Sequence, residues 1–211
     1  IACSVKNDSS ATLYEGKSAH ASTPWEGTNA ITMLIKALGE LFDGSDFSSL
    51  AKVFPFGEYN GKGAKINFND DVSGETTCVF SIIEENTGKV DIRFPVCTDG
   101  KTVTDNITSA LAEYGIKMVN TTSVEPHYVD SDSDFVKTLL EVYEEQTGKE
   151  GKCVAIGGGT YVHEIEGGVA FGAEIEGVDY HMHGADEFIT IDELVKNAQI
   201  YAHAILRLIE I

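Results

Sequence analysis

From Thr28 to Phe42 the apolar residues Ala30, Ile31, Leu34, Ile35, Leu38, Leu41 and Phe42 recur every three or four positions, the spacing that gathers them on one face of a helix. Ahead of this helix, Ala11 to Gly16 reads as a strand, and Lys17-Ser-Ala-His-Ala-Ser-Thr-Pro24 as a loop of small residues around His20. Gly44 to Asn60 is irregular, an insertion or a short helix. Period-two alternation returns at Thr76 to Ile83 and at Lys89 to Phe94, with Glu85-Asn-Thr-Gly88 between them supplying turn chemistry, so a hairpin is predicted. Val103, Ile107, Leu111 and Tyr114 mark a second amphipathic helix stopped by Gly115, and Ile116 to Val124 reads as a further strand.

Strand, helix, strand, strand, helix, strand is the split β-α-β order of a ferredoxin-like layer, two helices on one face of an antiparallel sheet. It closes near residue 125, where Glu125-Pro126 favours an extended connection. Beyond it, Asp134 to Gln146 reads as a helix with Phe135, Val136, Leu139, Leu140 and Tyr143 on one face, ending at Gly148. Strands are predicted at Cys153 to Ile156 and Val169 to Phe171, and Thr190-Ile-Asp-Glu193 is a capping box opening a last helix through Leu208. This second part reads as an incomplete α/β layer, so the fold class is α/β (α+β).

Composition narrows the function. With 211 residues, 42% of them hydrophobic and 23% charged, the chain has enough apolar sequence for a real core. Its net charge of −19, with only 15 Lys and Arg, argues against nucleic acid as a partner and suits a bound cation better. Four scattered cysteines, Cys3, Cys78, Cys97 and Cys153, show no C-x-x-C spacing, and reduced, mostly buried thiols are expected. No apolar run approaches a membrane span and no leader pattern opens the chain, so a soluble, cytoplasmic protein is expected. Ile1, close to strand-like sequence, suggests a piece of a longer chain.

Candidate chemistry gathers at two places in the second part. Gly157-Gly158-Gly159-Thr160 follows a predicted strand, and glycines there either make a tight turn or let the backbone approach a peptide-like or carboxylate ligand. The dinucleotide fingerprint and the P-loop lysine are both missing. His181 and His183 would point the same way on a strand and share a metal, or in a loop make ordinary hydrogen bonds. In the first part, His20 stands among side chains too small to hide it. Arg93 is either paired to an acid on the sheet face or a clamp for an anion. Glu84-Glu85 and Glu144-Glu145 read as solvated faces.

Gly16-Lys-Ser-Ala-His-Ala-Ser22, Asp70-Asp-Val-Ser-Gly-Glu-Thr-Thr77, Asp91-Ile-Arg-Phe-Pro95, Leu139 to Gly148, Gly157 to Tyr161, Val169 to Gly172 and His183-Gly-Ala-Asp-Glu-Phe188 together resemble the dinuclear-zinc exopeptidase family, most of all its bacterial dipeptidase V group. The resemblance implies that residues 1–125 form a lid or dimerisation domain, and that residues 126–211 form the C-terminal part of a catalytic domain. It implies hydrolysis of dipeptides or N-acyl amino acids by water activated between two zinc ions. His183 would be a zinc ligand, His20 a donor to the developing oxyanion, and Arg93 the clamp on the substrate carboxylate. Gly157, Gly158, Gly159 and Thr160 would line the substrate, with His181 and Asp186 as weaker candidates.

No His-x-Asp motif occurs in the sequence, and neither Glu-Glu pair follows a suitable strand, so the other metal ligands and the base would belong to a missing N-terminal half of the catalytic domain. The 211 residues alone are expected to be inactive. An alternative is a non-catalytic lid-type module for self-association, as a homodimer, or for substrate binding. A third is a mononuclear metal protein using His181 and His183.

Overall fold

The computed structural model of the chain describes residues 2–7, 10–172, 175, 177–182 and 184–209. Packing divides it into two compact units, Ile1–His127 with Ala155–Gly158, and Tyr128–Val154 with Gly159–Ile211.

The first unit opens with β1 (Ala2–Asn7) and β2 (Ser10–Glu15), which pair antiparallel from Ala2 against Glu15 to Asn7 against Ser10. Helix α1 (Ala30–Leu41) follows where the 3.6-residue period predicts it. Asn29 caps it by accepting from the amides of Ile31 (2.9 Å) and Thr32 (3.2 Å). The irregular stretch after it holds a short helix, α2 (Asp46–Val53), capped by Ser45. A two-residue pair, β3 (Asn69–Asp70) with β4 (Gly74–Glu75), leads into the hairpin of β5 (Thr77–Glu84) and β6 (Thr87–Arg93). Glu85 takes a left-handed φ of 49° in its tight turn. Helix α3 (Gly100–Ala112) is capped by Asp99, and Gly115 (φ 73°) ends the segment as the sequence predicts.

Helices α1, α2 and α3 and the β5–β6 hairpin meet in a common core. Ile31 and Ile35 from α1, Val53 at the end of α2 and Phe54 just after it, Cys78 and Phe80 from β5, and Val103, Ile107 and Leu111 from α3 are buried together with Ala64 and Ile66. Phe54 and Phe80 pack edge to face with centroids 5.2 Å apart.

In the second unit α4 (Asp134–Thr147) runs from its Ser133 cap to a left-handed Gly148. Helix α5 (Ile191–Ile209) starts at the expected capping box: Thr190 and Glu193 exchange hydrogen bonds, the Thr190 amide to a Glu193 carboxylate oxygen (3.0 Å) and the Glu193 amide to Thr190 Oγ1 (3.2 Å). Leu139 and Val142 of α4 bury against Ile200 and Ala204 of α5.

The mixed α/β class is what the sequence predicts, but among the described residues the single four-stranded sheet is not formed. The described residues make three two-stranded sheets, and residues 116–124, 153–156 and 169–171 are in no strand. An apolar alternation becomes a strand only where a ladder partner takes its N–H and C=O groups. Ile116 and Met118 do turn toward the first unit's core, but Val119 and Val124 stand in solvent, and so do Val154 and Ile156. The cysteines differ from expectation too: Cys78 is buried, its thiol pushed up to about 12 chiefly by burial, whereas Cys97 and Cys153 are exposed.

Candidate functional site

The small-residue loop carrying His20 is pinned at its base. Lys17 and Thr28 exchange backbone hydrogen bonds of 3.0 and 2.9 Å, which closes residues 17–28 into a compact loop. Gly16 and Gly27 permit that closure, since a Cβ on either would come within 2.6 Å of a carbonyl oxygen of the opposite strand. The loop is then tied to the hairpin: Thr77 Oγ1 donates to the Ala21 carbonyl at 2.9 Å, and the Asn29 amide side chain donates to Phe80 O at 2.9 Å.

Strand pairing brings the next residue to the same place. Thr77 lies opposite Arg93 in the β5–β6 register, so the threonine that anchors the His20 loop is the cross-strand neighbour of the arginine. Asp91, two residues before Arg93, is on the same face of β6. Its carboxylate takes Arg93 Nε at 2.7 Å and Nη2 at 3.2 Å, and Arg93 Nη1 donates to the Gly157 carbonyl at 2.8 Å. A guanidinium has five N–H groups; one on each terminal nitrogen remains for a ligand.

Gly157 also touches the His20 loop. A Cβ on it would lie 2.4 Å from Ser22 Cβ, so only glycine lets the Ser22 side chain pack this close to the backbone at 157. Ser22 Oγ is in turn 2.7 Å from His20 Nδ1. His20, Ser22, Asp91, Arg93 and Gly157 therefore form one connected cluster within the first unit. His20 is exposed, while Ser22, Asp91 and Arg93 are half-buried.

The other predicted residues stand differently. A Cβ on Gly158 or Gly159 would meet nothing within 4 Å, so neither glycine is required by packing. Thr160 opens a short 3-10 turn, Tyr161–Glu164, and its amide donates to His163 Nδ1 at 3.1 Å. His181 and Asp186 take left-handed φ values of 54° and 59°, and His181 packs edge to face on Phe188. His181 is in no strand, so the alternation that would align it with residue 183 is not present. His183 lies outside the described residues. The acidic pair on α4 has structural partners: Glu144 accepts the Gly151 amide, and Glu145 meets Arg207 and His203.

Ser22 and Asp91 are the residues that sequence reasoning missed. Both sit two positions from a residue it singled out, an interval that carries a contact on a strand face or in a tight turn. Among the described residues no group of three or more His, Cys, Asp or Glu side chains is arranged to hold a metal ion. A zinc ion takes three or four protein ligands, so the described residues do not by themselves make up the zinc pair that the resemblance implies, and the one ligand it assigns to this chain, His183, is not among them.

The His20 loop and the Arg93–Asp91 pair are thus linked through Gly157. Residues 18–207 match the model of Peptidase family M20/M25/M40, and the chain belongs to that family. It is 39% identical over 213 residues to the Beta-Ala-Xaa dipeptidase of Lactobacillus delbrueckii subsp. lactis, covering 97% of this chain and 45% of the relative. To the putative dipeptidase YtjP of Bacillus subtilis (strain 168) it is 36% identical, over 92% of this chain and 43% of the relative. A putative dipeptidase of Staphylococcus epidermidis is 33% identical with the same coverage. The chain thus spans less than half the length of these relatives. Among the described residues no helix is long and apolar enough to cross a membrane.

Proposed function

We propose that the chain is part of a dipeptidase that hydrolyses the amide bond of dipeptides or N-acyl amino acids with a free carboxylate. The observation that carries this reading is the state of Arg93. Asp91 holds one edge of its guanidinium and Gly157 O one further N–H, so its two remaining N–H groups are preorganised for a carboxylate. His20, joined to the same cluster through Ser22 and Gly157, is the donor for the oxygen that becomes negative as the amide carbonyl is attacked. Gly157, Gly158, Gly159 and Thr160 are proposed to contribute to substrate binding.

Zinc is proposed for the complete enzyme, with His183 among its ligands and the others supplied by sequence outside these 211 residues. No catalytic step is assigned to it from the residues described. The 211-residue chain should accordingly show no dipeptide hydrolysis above background with zinc added, while a complete chain of the relatives' length does. His183→Ala in that complete enzyme should lower bound zinc and abolish activity. A variant that keeps its zinc and its rate would remove His183 from the ligand set, and an active 211-residue chain would refute the division of labour.

A further inference from the structure

We propose that Ser22 is a positioning residue that fixes the tautomer of His20, holding the imidazole as an Nε2–H donor. Two groups of Ser22 converge on the same ring nitrogen. Its hydroxyl oxygen lies 2.7 Å from His20 Nδ1, and its backbone amide donates to Nδ1 at 3.3 Å. The hydroxyl alone leaves the ring ambiguous, because Oγ accepts as readily as it donates. The amide does not. An N–H cannot accept, so Nδ1 must present its lone pair, and the hydroxyl must then donate as well. In the neutral ring the proton is left on Nε2, the nitrogen facing away from Ser22.

The backbone keeps this geometry in register. The Thr23 amide donates to the His20 carbonyl at 3.0 Å, which folds residues 20–23 into a tight turn and brings the Ser22 amide under the ring. Thr77 Oγ1 holds the Ala21 carbonyl between them. Ser22 Cβ is backed by Gly157, where even one added carbon would come within 2.4 Å. In its functional meaning the inference rests on the dipeptidase reading. A histidine that stabilises a developing oxyanion must offer a hydrogen, and the Nδ1–H tautomer would turn a lone pair toward that charge.

The test is long-range ¹H–¹⁵N correlation NMR of the histidine rings in the 211-residue chain at about pH 8.5, where an ordinary imidazole is neutral. His20 is assigned by the signals lost in His20→Asn. The expected spectrum has His20 Nδ1 at the unprotonated position and Nε2 at the protonated one. Ser22→Ala removes the hydroxyl but keeps the amide, and should move the tautomer ratio toward Nδ1–H by roughly threefold to tenfold, the weight of one modest hydrogen bond. A wild-type ring protonated on Nδ1, or a ratio unchanged in a Ser22→Ala variant with a native amide spectrum, overturns the proposal. Should Ser22→Ala not fold, the wild-type assignment decides alone. Failure of the dipeptidase reading is a separate result: it would appear as no hydrolysis of dipeptides or N-acyl amino acids by a zinc-loaded chain of the relatives' length, and would leave these spectra as they are.

Discussion

Asp91 and Arg93 divide one task between them. Arginine carries the charge that a substrate carboxylate needs, but its long side chain has many rotamers, and an unheld guanidinium loses affinity to their entropy. The aspartate removes that freedom by occupying Nε and Nη2 together. Both side chains are more than a third exposed, 36% and 37%, so the pair adds little to stability and its value lies in orientation. Asp91→Asn keeps the shape but sets an amide NH2 against an N–H of the guanidinium. In the complete enzyme this should raise KM for dipeptides by about tenfold with kcat nearly unchanged, since ground state and transition state lose the same carboxylate contact. Steady-state kinetics with a thermal melt check it; an unchanged KM would show that Arg93 is ordered without its neighbour. The arginine was legible as a candidate because a cation on an apolar strand needs a partner. Which acid supplied that partner was open in so acidic a chain until the strand face was fixed.

Elements were legible where their signal is local. Each of α1, α3, α4 and α5 combines a 3.6-residue apolar period with start or stop residues inside one window, and each is present. Residues 116–124, 153–156 and 169–171 carry an apolar run but depend on a distant ladder partner that no local pattern specifies, and they are not strands. The connection after β6 shows how a loop is held without a ladder. Asp70 accepts from the amides of Val72 (2.9 Å) and Ser73 (2.5 Å) and, on its other oxygen, from the Cys97 amide (3.0 Å), while Ser73 Oγ takes the Val96 amide (2.9 Å). These donors, the Ser73 amide foremost, pull the Asp70 carboxyl from 3.8 down to about 2. A carboxylate depressed in the folded state stabilises fully above its ordinary value, and that contribution is lost as the pH falls from 3.8 through about 2. The amides of Val96 and Cys97 should therefore keep their native chemical shifts at pH 4 and lose them near pH 2, and Asp70→Asn should displace them already at neutral pH. Native shifts in that variant would mean the β3–β4 turn does not hold this loop.

At the scale of the molecule the two units are unequally built. Among the described residues the first buries eleven side chains in one cluster drawn from strand β5, three helices and the loop after α2, whereas the second buries four between α4 and α5. Stability follows buried apolar surface, and α5 leaves much of its own in water: Ile191 is 80% exposed, Ile209 76% and Leu206 64%. Exposed apolar area of this extent on one helix is unusual in a self-sufficient unit, and the relatives are more than twice as long as the matched region. On the dipeptidase reading, the additional sequence is what covers this face. Two consequences can be measured by hydrogen exchange. In the 211-residue chain, amides of α4 and α5 should open at lower free energy than those of α1, α3 and β5, because local stability tracks local burial. In a chain of the relatives' full length, protection should rise in α5 and change little in α3, whose buried face is already complete. Equal protection of both units in the 211-residue chain would mean that four buried residues suffice, and that the apolar face of α5 has no partner to wait for.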